Sequence, residues 1–242
     1  MSHHLYDWSK VTRHSIVKHL RPLRKALHKK TIDVDILYQL ISRKLKEKYP
    51  VSTKKAKLAK SPDGRIAIGG LYYPSEDKIK KRCICIVFNF NKKDSEIHIT
   101  GKIFIRILTL IADSILHEII HMRQYRRRNF YPLPDCKMYA SEGLIGIWQR
   151  YYGQHDEIDA HSFNIACELI ESFTEPEKIK KFLKSNTCGK SCNLFNTYIK
   201  YFNNNHSHPV IKALKKKVLH YVPYAVVGKP FKRASELSGN TC

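Results

Sequence analysis

The chain has 242 residues, 43% of them hydrophobic, and a formal charge of +23 at pH 7. That length supports one substantial core, and the composition excludes a disordered chain. No apolar run is long enough to span a bilayer and the opening MSHHLYDWSK lacks an apolar signal core, so the expected setting is intracellular and cytoplasmic.

Residues 1–50 read as a basic helical segment. From Trp8 to His28, the apolar positions Val11, Ile16, Val17, Leu20 and Leu23 predict a helix interrupted at Pro22. A second helix is expected from Asp33 to Tyr49. Asp33 caps it, Ile36, Leu37, Leu40, Ile41 and Leu45 form its stripe, and Pro50 ends it. A strand-rich region follows. Lys55 to Lys60 is expected to pair with Arg65 to Tyr73 across the turn Ser61-Pro62-Asp63-Gly64. Arg82 to Phe90 (RCICIVFNF) alternates strongly, and Glu96 to Thr100 is a short strand. Ile103 to Arg128 then reads as one long helix without Pro or Gly. Helices are also expected at Met138 to Tyr152, Asp156 to Phe173, Glu175 to Leu183, Cys192 to Phe202 and Pro209 to Tyr221. Residues 222–242 read as an extended tail. The expected fold class is α+β, in a single domain over residues 1–242. The seven cysteines are odd in number and scattered, which predicts reduced thiols, mostly buried.

The long helix carries HEIIH: His117, Glu118 and His121. Residues four apart lie on one face, a single turn from each other, so both imidazoles can reach one metal ion. Glu118 comes off near that face, where it can act on water beside the metal. The competing reading is a core helix that happens to carry two histidines. Those side chains would then need partners to offset their desolvation.

A catalytic zinc takes three protein ligands and keeps one position open. The extended form with a third histidine is absent, because Gln124 and Arg127 occupy its glycine and histidine positions. The next dense cluster is QHDEIDAHSFN, Gln154 to Asn164, at the start of another helix. Glu157 and His161 are again four apart. One can bind zinc while the other sits beside it and orients a ligand. Glu157 is the first choice and His161 the next, with His155 and Glu142 as further alternatives. The plain account of Glu157 is a solvated charge at a helix start, and Asp156 fits that account better than a metal role.

HEIIH followed by Glu157-Ile158-Asp159-Ala160-His161 resembles the gluzincin metallopeptidases. In that group a second helix supplies a glutamate ligand, often within an ExxAD-like string. The glutamate and alanine match, while His161 stands where the group has aspartate. The resemblance covers about residues 97–170. It implies zinc (Zn2+) held by His117, His121 and Glu157, with Glu118 as general base. It also implies an oxyanion donor, for which Tyr151, Tyr152, His155 and Tyr221 are candidates. With His161 as third ligand, the chain would look more like the SprT-type proteases that act on DNA-bound proteins. Either way the implied layout is zincin-like: a small β-sheet packed on the HExxH helix, then a mainly helical C-terminal half. Glu96 to Thr100 is the expected edge strand, to which an extended peptide could add.

The basic residues cluster at Arg21–Lys30, Arg43–Lys60, Lys78–Arg82, Arg123–Arg128, Lys178–Lys184 and Lys212–Lys217. Such a field attracts polyanions, so nucleic acid is the expected partner besides a protein or peptide substrate. No zinc-finger spacing or RNP-like string accompanies it, which predicts phosphate contacts sensitive to salt. The expected function is a zinc-dependent metallopeptidase working near nucleic acid. The alternative is a nucleic-acid-binding or virion-associated structural protein with a zincin fold and no turnover.

Overall fold

A computed structural model describes residues 6–58, 66–79, 82–131, 143–173, 175–185 and 192–225. The protein is α+β, with small sheets in its first half and helices in its second. It divides into two compact units, with the boundary between Met122 and Arg123. No helix among the described residues is long and apolar enough to cross a membrane.

In the first unit, α1 (Arg13–Leu20) opens with a reciprocal cap between Thr12 and Ser15. Pro22 sits in a short 3-10 turn, Arg21–Leu23, which passes directly into α2 (Arg24–Leu27). Proline costs little there, because an N–H in the first turn has no helical partner to lose. The strand β1 (Lys30–Asp33) follows, then α3 (Val34–Lys46). Asp33 caps α3 by accepting the amides of Asp35 at 2.7 Å and Ile36 at 3.1 Å. The helix ends at Lys46, one turn short of Pro50. Leu37, Ile41 and Leu45 are buried, whereas Ile36 is exposed.

Three strands form the main sheet: β2 (Val51–Leu58), β3 (Ile66–Tyr72) and β4 (Ile84–Asn91), in the order β2-β4-β3. The expected β2–β3 hairpin is not formed. Instead β4 lies between them, parallel to β2 and antiparallel to β3. Burial explains this order. Ile84, Ile86, Phe88 and Phe90 project from one face of β4 and are almost wholly buried. Each contributes about 1.5–3 kcal/mol on burial, and the most apolar strand gains most from a neighbour on both edges. Tyr38 of α3 meets Phe88 on that face, ring to edge. The short helix α4 (Pro74–Lys78) links β3 to β4. The strand β5 (Glu96–Ile99) is not an edge of this sheet. It pairs antiparallel with β1, from Lys30 opposite Ile99 to Asp33 opposite Glu96.

The long helix α5 spans Gly101–Arg127, two residues earlier at its start than Ile103. Ile107, Ile111 and Ile115 are among the buried positions that build its core face. Arg13 anchors it through an ion pair with Asp113 at 2.9 Å.

The second unit is helical: α6 (Gly143–Gly153), α7 (His155–Phe173), α8 (Pro176–Lys184), α9 (Asn193–Tyr201) and α10 (Pro209–Ala225). α7 is its core element, with Ile165, Ala166 and Leu169 fully buried, and α10 brings Ile211, Leu214 and Val218 to the same interior. Val222 to Ala225, expected in the tail, continue α10 instead. The rest of that tail, the Ser61–Gly64 turn and Met138 to Glu142 lie outside the described residues. Cys83, Cys85, Cys167 and Cys192 are buried and reduced, in no disulfide.

Candidate metal centre

On α5, His117, His121, Gln124 and Arg128 (just past the helix end) recur at intervals of four, three and four residues. That spacing places them along one stripe of the helix surface. The lower half of the stripe grips α7. Arg128 holds Asp156 through two parallel bonds, at 2.9 and 2.6 Å. Such a fork is the stronger geometry for a carboxylate partner. Gln124 donates to the backbone oxygen of Asp156 at 3.1 Å and to Oδ2 of Asp159 at 3.3 Å. Asp159 also accepts from Tyr221 and pairs with Lys217, each at 2.9 Å. Asp156 is therefore not the solvated helix-start charge expected from the sequence. It is buried and clasped.

The upper half of the stripe carries the motif. His117 and Glu118 are buried, and His121 is half-buried. The two Nε2 atoms stand 3.0 Å apart. Glu118 lies beneath β3, close against Gly70. Ser114, one turn earlier, donates to the carbonyl of Ile68 at 3.5 Å.

Glu157 occupies the first turn of α7, where the helix dipole favours a carboxylate. His117, His121 and Glu157 each offer one ligand atom, and these atoms all lie within 4.8 Å of one another. This is the one such group of His, Cys, Asp or Glu among the described residues. Two imidazoles and a carboxylate are a donor set that suits catalytic zinc. Two nitrogens bound to one tetrahedral ion stand roughly 3.3 Å apart, close to the separation of this pair. The residues present therefore fit a divalent ion of that kind.

His161 is placed differently. Its Nδ1 is hydrogen-bonded to the hydroxyl of Tyr198 at 2.9 Å and lies 3.9 Å from Oε2 of Glu157. The rings of Tyr151, Tyr152 and Tyr198 surround its imidazole, with centroids 5.5–5.9 Å away. Burial, then the charge of Glu157, holds the Tyr198 phenol well above its ordinary pKa, so it stays neutral. Among the other sequence candidates, the His155 side chain is 75% exposed. Tyr221 is bonded to Asp159, and Glu142 lies outside the described residues.

No protein-family model matches the chain, and no curated protein and no solved structure matches it.

Sequence reasoning missed Gln124, Asp159 and Tyr198 as parts of this region. For the first two a signal existed. Gln124 and Arg128 are four apart at the end of α5, and Asp156 and Asp159 are three apart on α7, which is two matched polar pairs at helical spacing. Tyr198 had none, being one tyrosine among 14.

Proposed function

We propose that this protein is a zinc-dependent metallopeptidase of zincin-like layout. The observation that carries the reading is the convergence of His117, His121 and Glu157 within 4.8 Å, with Glu118 next to the first ligand. When bound, zinc supplies Lewis acidity that polarises a carbonyl and acidifies water. Glu118 takes the proton from the attacking water and delivers it to the leaving amine. Glu118 is buried beside β3, which fixes its side chain next to the first ligand. His161, itself bonded to Tyr198, stands beside Glu157 with Nδ1 3.9 Å from Oε2, the neighbour that would orient a carboxylate ligand. The strand facing Glu118 is β3, which among the described residues pairs with β4 alone and forms an edge of the sheet. It replaces β5 as the edge an extended peptide would join.

The decisive variant is Glu118→Gln, which preserves shape and removes the base. Purified Glu118→Gln protein is expected to hold about one zinc per chain, as the parent would, and to lose peptide cleavage. Cleavage at the parental rate by this variant would defeat the mechanism.

The charge supports a second, compatible reading, in which the surface binds nucleic acid. Arg21, Arg24, Lys25, Lys29 and Lys30 are exposed in the first unit. In the second, α8 buries Ile179 and Leu183 while Lys178, Lys180, Lys181 and Lys184 face solvent. Contacts of this kind neutralise phosphates, so affinity falls steeply with salt. A salt-steep gel shift without cleavage of any protein would favour a binding protein over a peptidase.

A further inference from the structure

The strand β3 contains two consecutive glycines, Gly69 and Gly70, in its middle. Glycine weakens a strand interior, so a pair there needs a reason. Left-handed backbone is not the reason, because neither residue has a positive φ. Space separates the two. A Cβ on Gly69 would meet nothing within 4 Å. A Cβ on Gly70 would stand 2.5 Å from both Cγ and Oε1 of Glu118, and 2.9 Å from its Cδ. The register agrees. Gly70 is opposite Ile86, whose side chain lies on the buried face of β4, while Gly69 is opposite Val87. Side chains alternate along a strand, so only Gly70 presents its missing side chain to α5. The contact is also fixed along the helix. Ser114 meets Ile68 and Glu118 meets Gly70, one helical turn matched to two strand residues.

We infer that Gly70 is a positioning residue for Glu118: its lack of a side chain lets β3 lie against the carboxylate and hold it at the height the metal centre requires. This rests on the reading of Glu118 as general base. A methyl group at position 70 cannot share that space. The backbones of β3 and α5 are held by their own hydrogen bonds, so the Glu118 side chain is what must move. Zinc binding survives, because neither histidine nor Glu157 is touched. The cost falls on proton transfer, where a displacement of about 1 Å loses on the order of 100-fold.

The test compares Gly70→Ala with Gly69→Ala in the full chain, each alone and combined with Glu118→Ala. Gly70→Ala is expected to keep its zinc and its KM and to lose about 10–100-fold in kcat. Gly69→Ala keeps all three. Thermal unfolding of the metal-free proteins reads the contact without any activity. Gly70→Ala lowers Tm in the parent and does not lower it once Glu118→Ala has removed the opposing atoms. Equal effects of the two glycine variants, or a Gly70→Ala loss that persists unchanged beside Glu118→Ala, would overturn the assignment. If the Tm coupling appears but the parent cleaves no peptide, the placement of Glu118 stands and the peptidase reading falls.

Discussion

Two pairs of residues in this molecule have the same spacing and different surroundings. His117 and His121 sit four apart on α5, and Glu157 and His161 sit four apart on α7. The first pair converges directly, nitrogen to nitrogen at 3.0 Å. In the second, a ligand atom of Glu157 lies within 4.8 Å of those of His117 and His121, while His161 is enclosed by three tyrosines and bonded to Tyr198. Helical periodicity places both members of each pair on one face. It does not say which member would serve as a ligand. Tyr151 and Tyr152 of α6 and Tyr198 of α9 surround the imidazole of His161, which on the proposed reading leaves Glu157 for that role.

The strongest challenge to this contrast is to remove each member and measure zinc content and affinity. His117→Ala and His121→Ala are expected to abolish stoichiometric zinc, since two remaining donors do not make a tight site. Glu157→Ala should follow closely. His161→Ala should retain zinc with affinity about 10–100-fold weaker, the usual cost of losing a residue that orients a ligand. If His161→Ala loses more zinc than Glu157→Ala, the roles on α7 are reversed and His161 is the ligand.

A finer cut is Tyr198→Phe, which keeps the ring and removes the hydroxyl that holds His161. One hydrogen bond is worth about 1 kcal/mol, so zinc affinity is expected to drop by several-fold, measured by competition with a chelator. An affinity equal to the parent's would remove Tyr198 from the centre.

The smallest effect concerns the clasp below the centre. Burial, reinforced by the charge and hydrogen bond of Asp159, raises the pKa of the Tyr221 phenol above its ordinary value of 10.0. The folded chain therefore keeps a proton that the unfolded chain releases near pH 10. This contribution is fully present below pH 10 and is lost as pH rises toward the folded-state value. Tyr221→Phe should cost about 1 kcal/mol at neutral pH and flatten the decline above pH 10 in denaturant melts of the metal-free protein. A decline as steep as the parent's would mean that other groups govern alkaline unfolding.

Much of the candidate site was legible because it is local. HEIIH lies within one helix, and a 3.6-residue period converts spacing into proximity without reference to anything distant. The α7 pair was legible for the same reason, and so was the Asp33 cap, which needs only its own next three residues. Errors arose where pairing is long-range. The strand run Ile84–Asn91 was visible as an alternating stretch, but its place between β2 and β3 depends on how much surface it buries, which no neighbouring turn reveals. β1 was invisible, because four residues with two of them charged form a strand only when β5 arrives to pair with them. Asp156 looked like an ordinary acidic helix start, since Arg128 is 28 residues away in sequence. Gly70 carried no signal, as its importance lies in an atom it lacks.

The sequence by itself determined the candidate donor residues, their helical pairing and the large positive charge, because each depends on residue type and short-range geometry. Only the tertiary structure brings a ligand atom of Glu157 within 4.8 Å of those of His117 and His121, bonds His161 to Tyr198, and lays β3 against Glu118. Those outcomes require side chains from separate elements to compete for the same space, and only packing resolves such a competition.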